Sequence, residues 1–416
     1  MKKQIFLWSL YDFANSIVMM AFLFYFSQWL VIERGAPAWW YNLALIFSSI
    51  LFLITAPSIS FKIDSNKILK INGLRFWTII TLISYIIISV LVMLGLGLEL
   101  FLTILFAFAT YAYLTCFLYF TPMLNDLSNE KDRAFVSGLG QASNSVGQVF
   151  GILIILPFVN GITLFGDPGR AQALLPATII FGVLILPMLL FYRENKVKNE
   201  FIENEGVEES KIIQRAEIKT IKSVFVNVFS YKPLAIMFLA YFLFSDSLIT
   251  FTNNFPLYLE TVHHVGDTSK SILTALILIL AGVGAVIFGK LSNKIGDIKT
   301  LKIVLWVWVF IFLSAILIDD FKILLPIFCV AGLFFGPVWS VSRSIVGNLA
   351  PKHLIASSYS YYVVAERFAT LIGPGMWSLA LIFWGEGILG YKMGLASLMI
   401  LIVLSLIVLR KLRDDI

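Results

Sequence analysis

The chain has 416 residues, of which 59% are hydrophobic and only 13% charged. Soluble domains carry about 25% charged residues, so this composition excludes an ordinary soluble enzyme or binding module and points to a membrane protein. The net charge of +6 does not signal nucleic acid, because the Lys and Arg residues stand in connections beside long apolar runs, where membrane topology explains them.

Twelve apolar runs follow in order: 5–32, 40–61, 75–96, 99–121, 135–159 and 173–192, then 233–259, 271–289, 300–318, 321–345, 357–384 and 389–409. Each is long enough to cross about 30 Å of hydrocarbon as a helix. The short alternating segments of a β-barrel are absent. The expected fold is therefore an all-α polytopic membrane protein. Its twelve helices form two six-helix bundles, 1–192 and 233–416, joined by a polar linker, 193–232. In the linker Lys211, Arg215, Lys219 and Lys222 recur among Ile213, Ile221 and Val224. Two readings stand there, an amphipathic helix on the membrane surface or a solvated connector. The first run is long, polar within and lacks a small-residue cleavage site, so no cleavable signal peptide is expected.

Lys and Arg crowd the even-numbered connections and both termini, whereas the odd connections hold only Arg34, Arg170, Lys270, Lys322 and Lys392. The positive-inside rule then places both termini in the cytoplasm, with the chain in the cell membrane. Cys116 and Cys329 lie inside apolar runs and read as small buried residues, so neither a disulfide nor a metal site is expected.

The two halves echo each other. Leu10-Tyr11-Asp12 in helix 1 matches Phe244-Ser245-Asp246 in helix 7. After helix 2 comes Ser60-x-x-x-Asp64, and after helix 8 comes Gly289-x-x-x-Asn293-Lys294-x-Gly296. Parallel six-helix repeats are a recurrent transporter design, with the substrate site between them.

Away from the ends of the spans stand four charged residues: Asp12, Asp246, Glu366 and Arg367. Each costs about 2.5–3.5 kcal/mol at a helix centre on insertion scales, so pairing, protonation or a wet cavity must compensate. Asp246 lies near the middle of its run and is the stronger candidate for substrate or proton contact. Asp12 lies nearer the cytoplasmic end, which suits a structural or gating part. Arg367 either binds a carboxylate or pairs with one of the two aspartates. Helix 5 presents Ser137, Gln141, Asn144 and Gln148 on one face, as a cavity wall or as interhelical hydrogen bonds. Asn15 and Tyr361 complete the candidate path, and Arg343 stands near the inner end of helix 10.

Trp8-x-x-Tyr11-Asp12-Phe13-Ala14-Asn15-Ser16 resembles the opening of the vacuole-effluxer-like branch of the major facilitator superfamily. Ala240 to Asp246, Ser342-Arg343-Ser344 and the stretch from Pro351 through Arg367-Phe368 to Gly373-Pro374 resemble its helices 7, 10 and 11. Thr121 and Asn125 depart from its helix 4 pattern, and Ser245 and Ser247 from its helix 7 pattern. The loops after helices 2 and 8 resemble the superfamily's gating motif, which implies gate roles for Asp64, Asn293 and Lys294; Arg343 is a further gating candidate, with a side chain reaching the headgroups as the alternative. The resemblance implies a secondary transporter, with amino-acid export as the activity of its vacuolar members. No phosphate loop suggests nucleotide-driven pumping, and no Ser/His/Asp or paired-carboxylate arrangement suggests hydrolysis. The expectation is a non-enzymatic, cofactor-free carrier of a small polar solute, acting as a monomer in the bilayer, with protons as the candidate coupling ion. A carrier of amphiphiles and a non-transporting receptor are the alternatives.

Overall fold

The structure, a computed structural model, describes residues 2–64, 69–127, 133–194, 231–350, 362 and 371–412. The candidate residues Tyr361, Glu366 and Arg367, and the amphipathic pattern of the linker, lie outside the described residues. For Asp64, Gln141 and Asn293 the backbone is described but not the side chain.

The described residues are helical almost throughout, as a lipid-embedded backbone must be to satisfy its own N–H and C=O groups. The spanning helices are α1 (Lys2–Ala21), α2 (Ala38–Asp64), α3 (Lys70–Leu94), α4 (Glu99–Phe120), α5 (Arg133–Asn160) and α6 (Ala171–Phe191). Then come α7 (Lys232–His263), α8 (Asp267–Ile295), α9 (Asp297–Leu317), α10 (Phe321–Leu349) and α12 (Ile388–Leu409), with α11 (Ile372–Trp384) described as a shorter apolar helix of 13 residues. α1 does not stop at Ala21. It continues through two single-turn π-helical segments, Phe22–Phe26 and Trp29–Glu33, to make a 32-residue span. Pro256 does not interrupt α7, which runs on to His263. His264 then ends it in the left-handed conformation, φ 53°, with its N–H on the Glu260 carbonyl and the Val265 N–H on that of Leu259.

Buried apolar residues form two clusters, one drawn from residues 7–192 and one drawn almost wholly from 234–412. Facing outward, Ile79, Ile83, Ile86 and Ile87 of α3 and Ile179, Val183, Leu186 and Leu190 of α6 stay exposed, at the helical spacing of a lipid-facing stripe. The two sets of six helices meet along two seams, α2 against α11 and α5 against α8.

Glycine sets how closely some helices approach. A Cβ on Gly147 of α5 would stand 2.5 Å from the Phe13 carbonyl oxygen of α1. In the second half, a Cβ on Gly284 of α8 would stand 1.8 Å from the Leu333 carbonyl oxygen of α10. Close backbone approach through small residues is how membrane helices gain packing without a hydrophobic driving force. Gly284→Val should therefore destabilise the protein by about 1–3 kcal/mol through overpacking, read as a lower thermal unfolding midpoint in detergent. An unchanged midpoint would show that α8 and α10 tolerate separation.

Candidate functional site

The helix 1 signature serves largely to hold α1 in place. Trp8 donates its indole N–H to the Phe120 carbonyl (3.2 Å) and stacks on the Phe120 ring at 4.7 Å. Tyr11 shares a 2.6 Å hydrogen bond with Thr78 of α3. Asp12 accepts from Asn144 Nδ2 of α5 at 3.2 Å, and Asn144 Oδ1 in turn accepts from Gln148 Nε2 at 2.7 Å. Asp12, Asn144 and Gln148 are thus brought together, while the amide nitrogen of Asn15 is buried nearby with no hydrogen-bond partner among the described residues. In the polar stripe of α5, Asn144 makes the interhelical bond and Gln148 supports it from one turn along the same helix.

Asp246 is fully buried on α7. Its Oδ2 accepts the backbone N–H groups of Ile372 (2.9 Å) and Gly373 (2.8 Å), the first amides of α11. A carboxylate is well placed there, because helix N-termini carry unsatisfied donors and the positive end of the dipole. The internal repeat therefore extends to the partners: Asp12 of the first helix binds the fifth, and Asp246 of the seventh binds the eleventh. Ser247, next to Asp246, donates to the Leu398 carbonyl (3.0 Å) and fixes this part of α7 to α12.

A second constellation lies at the face that carries the odd-numbered connections. Arg170, at the start of α6, donates to both oxygens of Glu260 at 2.5 Å and to both of Asp267 at 3.1 Å. Its backbone N–H meets Glu33 Oε1 at 3.1 Å. Lys270, 0% exposed, binds Glu260, Gln28 and Asp267, the last at 2.9 Å. Burial works against the charge on Arg170, but the carboxylates of Asp267 and Glu260 outweigh it and hold the guanidinium above its ordinary pKa.

Gln28, Glu33 and Arg170 come from the first six helices, and Glu260, Asp267 and Lys270 from the last six. Tyr25 to Ser271 at 2.9 Å, Asn160 to Thr268 at 2.8 Å and a reciprocal Asn42–Asn254 pair at 3.1 and 3.0 Å join the halves at the same end. The carboxylate of Glu386 accepts the Ala38 N–H at 2.8 Å. Burial pushes its pKa up against the pull of the Ala38 and Trp39 amides. The π-helical end of α1 carries Tyr25 in one segment and Gln28 just before the other; such bulges recur at functional sites.

Sequence reasoning treats Arg170 and Lys270 only as exceptions to the charge bias. That exception is the available signal, since a basic residue against the topology rule needs another reason to be there.

The loop after α8 also holds a centre. Asp297 accepts from Ser344 (2.6 Å) and Asn348 (2.9 Å) of α10 and from Ser292 of α8. Lys294 stands in the last turn of α8, and Arg343 lies exposed on α10. In the first half, Lys70 pairs with Asp126 at 2.7 Å and with Glu194 at 3.7 Å. Between α1 and α5 runs a groove of about 410 Å³, lined by Phe6, Leu10, Phe13 and Val146 with the hydroxyls of Ser9 and Ser143. Phe6, Leu139 and Val146 stand exposed along it, so it is an open, outward-facing groove.

Comparison with known proteins agrees with this architecture. The family model of the Major Facilitator Superfamily matches residues 73–374 and 237–413. The uncharacterized MFS-type transporter YxiO of Bacillus subtilis (strain 168) is 21% identical over 300 residues, 70% of this chain. The match spans 66% of YxiO, just under two thirds of its length. Among solved structures, a bacterial homolog of the human lysosomal transporter Spinster, inward-facing and unoccupied, is similar at TM-score 0.70 and 13% identity. That alignment covers 99% of this chain and 98% of the other. The nucleoside transporter NupG aligns at TM-score 0.70 and 11% identity, covering 99% of this chain and 100% of the other. At such identities the structural likeness speaks for the fold, and the family match for membership. The chain belongs to the Major Facilitator Superfamily, as a multi-pass membrane transporter of that type.

Proposed function

We propose that this transporter works by alternating access and carries a small polar solute, an amino acid being the first candidate. The carrying observation is the ionic closure: two sets of helices with largely separate apolar cores are tied by Arg170, Glu260, Asp267, Lys270 and Gln28 at one face. In this reading residues 1–192 and 233–416 are the moving bundles and 193–232 links them. The termini face is cytoplasmic, as the Lys and Arg distribution favours, and the membrane is the cell membrane. Asp12, Asn15, Gln141, Asn144 and Gln148, with Tyr361, Glu366 and Arg367, form the polar path. Asp64, Asn293, Lys294 and Arg343 serve the inner gate, the protein acts as a monomer, and protons drive exchange. Amino-acid export rests on the helix 1 and helix 7 resemblance to the vacuole-effluxer-like branch.

A second reading has its own observation. The α1–α5 groove is mostly apolar, which suits a substrate with an apolar body better than a free amino acid. Flux into proteoliposomes separates the two. Uptake of amino acids driven by an imposed pH gradient supports the first reading. Movement of a fluorescent amphiphile without amino-acid flux supports the second. A protein that binds either class, raising its thermal midpoint, yet moves neither would be a receptor and would end the transport reading.

A further inference from the structure

α1 and α5 approach each other through glycine. A Cβ on Gly140 would meet the Trp8 ring at 2.5 Å, and one on Gly151 would stand 2.8 Å from the Ile17 backbone. Helices held this close leave a furrow wherever small side chains flank the contact. Ser9, Ala142 and Ser143 flank it, between the larger Phe6, Phe13, Leu139 and Val146. The furrow opens away from the polar stripe, because Ala142 and Val146 each stand two residues from Asn144, about 200° around α5. A second groove of about 300 Å³ follows on α5, lined by Val149, Phe150, Leu153 and Ile154. Phe13 of the first groove and Phe150 of the second meet ring to ring at 5.8 Å. The two grooves therefore run end to end.

The lining states what fits. No charged side chain lines either groove, and Phe6, Leu139, Val146, Phe150, Leu153 and Ile154 stay exposed. Such a surface within a bilayer is covered by hydrocarbon. From Leu139 to Ile154 the helix rises roughly 22 Å, more than half of the about 30 Å hydrocarbon core. One acyl chain of a single leaflet fits along it lengthwise. The hydroxyl of Ser9 has no hydrogen-bond partner among the described residues, and it offers a donor to an ester oxygen of the same lipid.

Charge stands at one end of the furrow. Lys2, Phe6, Ser9 and Phe13 share one face of α1 by their spacing, and Lys2 is exposed at the head of it. Lys3 is turned aside, its ammonium 5.6 Å from the centre of the Phe191 ring of α6. The contacts Trp8–Gly140, Phe13–Gly147 and Ile17–Gly151 climb together, so α1 and α5 are parallel and both begin at this end. Two helix N-termini thus add positive potential beside Lys2. Both walls belong to the first six helices, so the groove does not depend on how the two halves meet.

We propose that the α1–α5 groove holds one anionic phospholipid from the leaflet at the termini face, with an acyl chain along α5 and its phosphate at Lys2. The lipid is held, not carried, so the inference stands apart from both transport readings above.

Native mass spectrometry of the full-length protein, tagged at the C-terminus and purified in mild detergent, tests this. Phosphatidylglycerol and phosphatidylcholine are added separately at equal concentration. The parent should hold one phosphatidylglycerol more tightly than phosphatidylcholine. Lys2→Gln should cut that preference about fivefold, the worth of one lysine at an anionic surface. Ala142→Phe, which fills the furrow from an exposed position, should abolish the bound lipid, and Ser143→Leu should weaken it. Size-exclusion profiles and thermal midpoints confirm that each variant is folded.

Equal retention of the two lipids, or an unchanged preference in Lys2→Gln, overturns the inference, since the headgroup would then go unrecognised. Lipid retained at the parent's level in Ala142→Phe and Ser143→Leu overturns its placement. A dimer mass in the parent that disappears on filling the furrow makes a second copy the occupant and overturns the lipid. Transfer of a fluorescent phosphatidylglycerol across liposomes, lost in Ala142→Phe, makes the lipid a cargo. That result overturns a held lipid and supports the amphiphile reading instead.

Discussion

Lys270→Met should open the odd-loop face. Lys270 is fully buried and binds Glu260 and Gln28 as well as Asp267 at 2.9 Å. Methionine fills similar volume but removes the ammonium, leaving Glu33, Glu260 and Asp267 around Arg170 alone. Breaking a buried ion pair by deleting one partner costs about 3–5 kcal/mol, because the remaining charge is left uncompensated. If the halves separate, Glu260 and Asp267 regain water. The whole penalty therefore bears on the closed state, which should lose ground to the open one by about two to four orders of magnitude.

Ala38 is 0% exposed within the α2–α11 seam. The measurement is the rate at which a membrane-impermeant maleimide labels Ala38→Cys in liposomes, with Cys116 and Cys329 replaced by serine, slow in the parent and fast in Lys270→Met. Adding Glu260→Gln to Lys270→Met removes one of the stranded charges and should slow labelling again. The cycle formed by the two single variants and the double reports their coupling. A rate in Lys270→Met equal to the parent's would show that the ion cluster is ornamental to closure.

Asp297→Ala should give the largest loss of stability on the opposite side. Asp297 is 7% exposed and is the shared acceptor for Ser292 of α8 and for Ser344 and Asn348 of α10. It therefore ties the α8–α9 turn to the end of α10. Without it three donors lose their acceptor, and a buried group left unsatisfied costs about 1–3 kcal/mol. That cost falls mainly on the buried Ser292, since Ser344 and Asn348 are exposed and regain hydrogen bonds from water. The thermal midpoint in detergent should fall clearly in Asp297→Ala and less in Asp297→Asn, which keeps one acceptor oxygen. Equal midpoints for parent and Asp297→Ala would mean that α8 and α10 hold this turn by packing alone.

These two residues show where sequence reasoning reached and where it stopped. The loop after α8 was recognisable as a gating motif from Gly289, Lys294 and Gly296. The motif directs attention to Asn293, yet the buried acceptor is Asp297, four positions on. Spacing along the chain does not say which carboxylate the turn folds inward. The ion cluster was harder to read. Its members come from the end of α1, the start of α6, the end of α7 and the start of α8, and no local pattern links them.

Asp246 illustrates the same limit differently. Its partners are backbone amides, which every residue but proline possesses, so no residue type could have announced them.

By itself the sequence determined the membrane class, the positions of the spans and the correspondence of Asp12 in the first half to Asp246 in the second. The hydrocarbon thickness imposes the run length, a buried charge demands compensation, and duplicated bundles repeat their costly residues. Among the described residues the spans read from hydropathy agree closely with eleven long helices, because few sequences other than a spanning helix can meet those conditions. Only the tertiary structure decided how each charge is compensated. It assigned Asp12 to Asn144, Asp246 to the start of α11, and Lys270 to acids on its own half and an amide on the other. Compensation depends on distance in space, and that distance is set by how twelve helices pack.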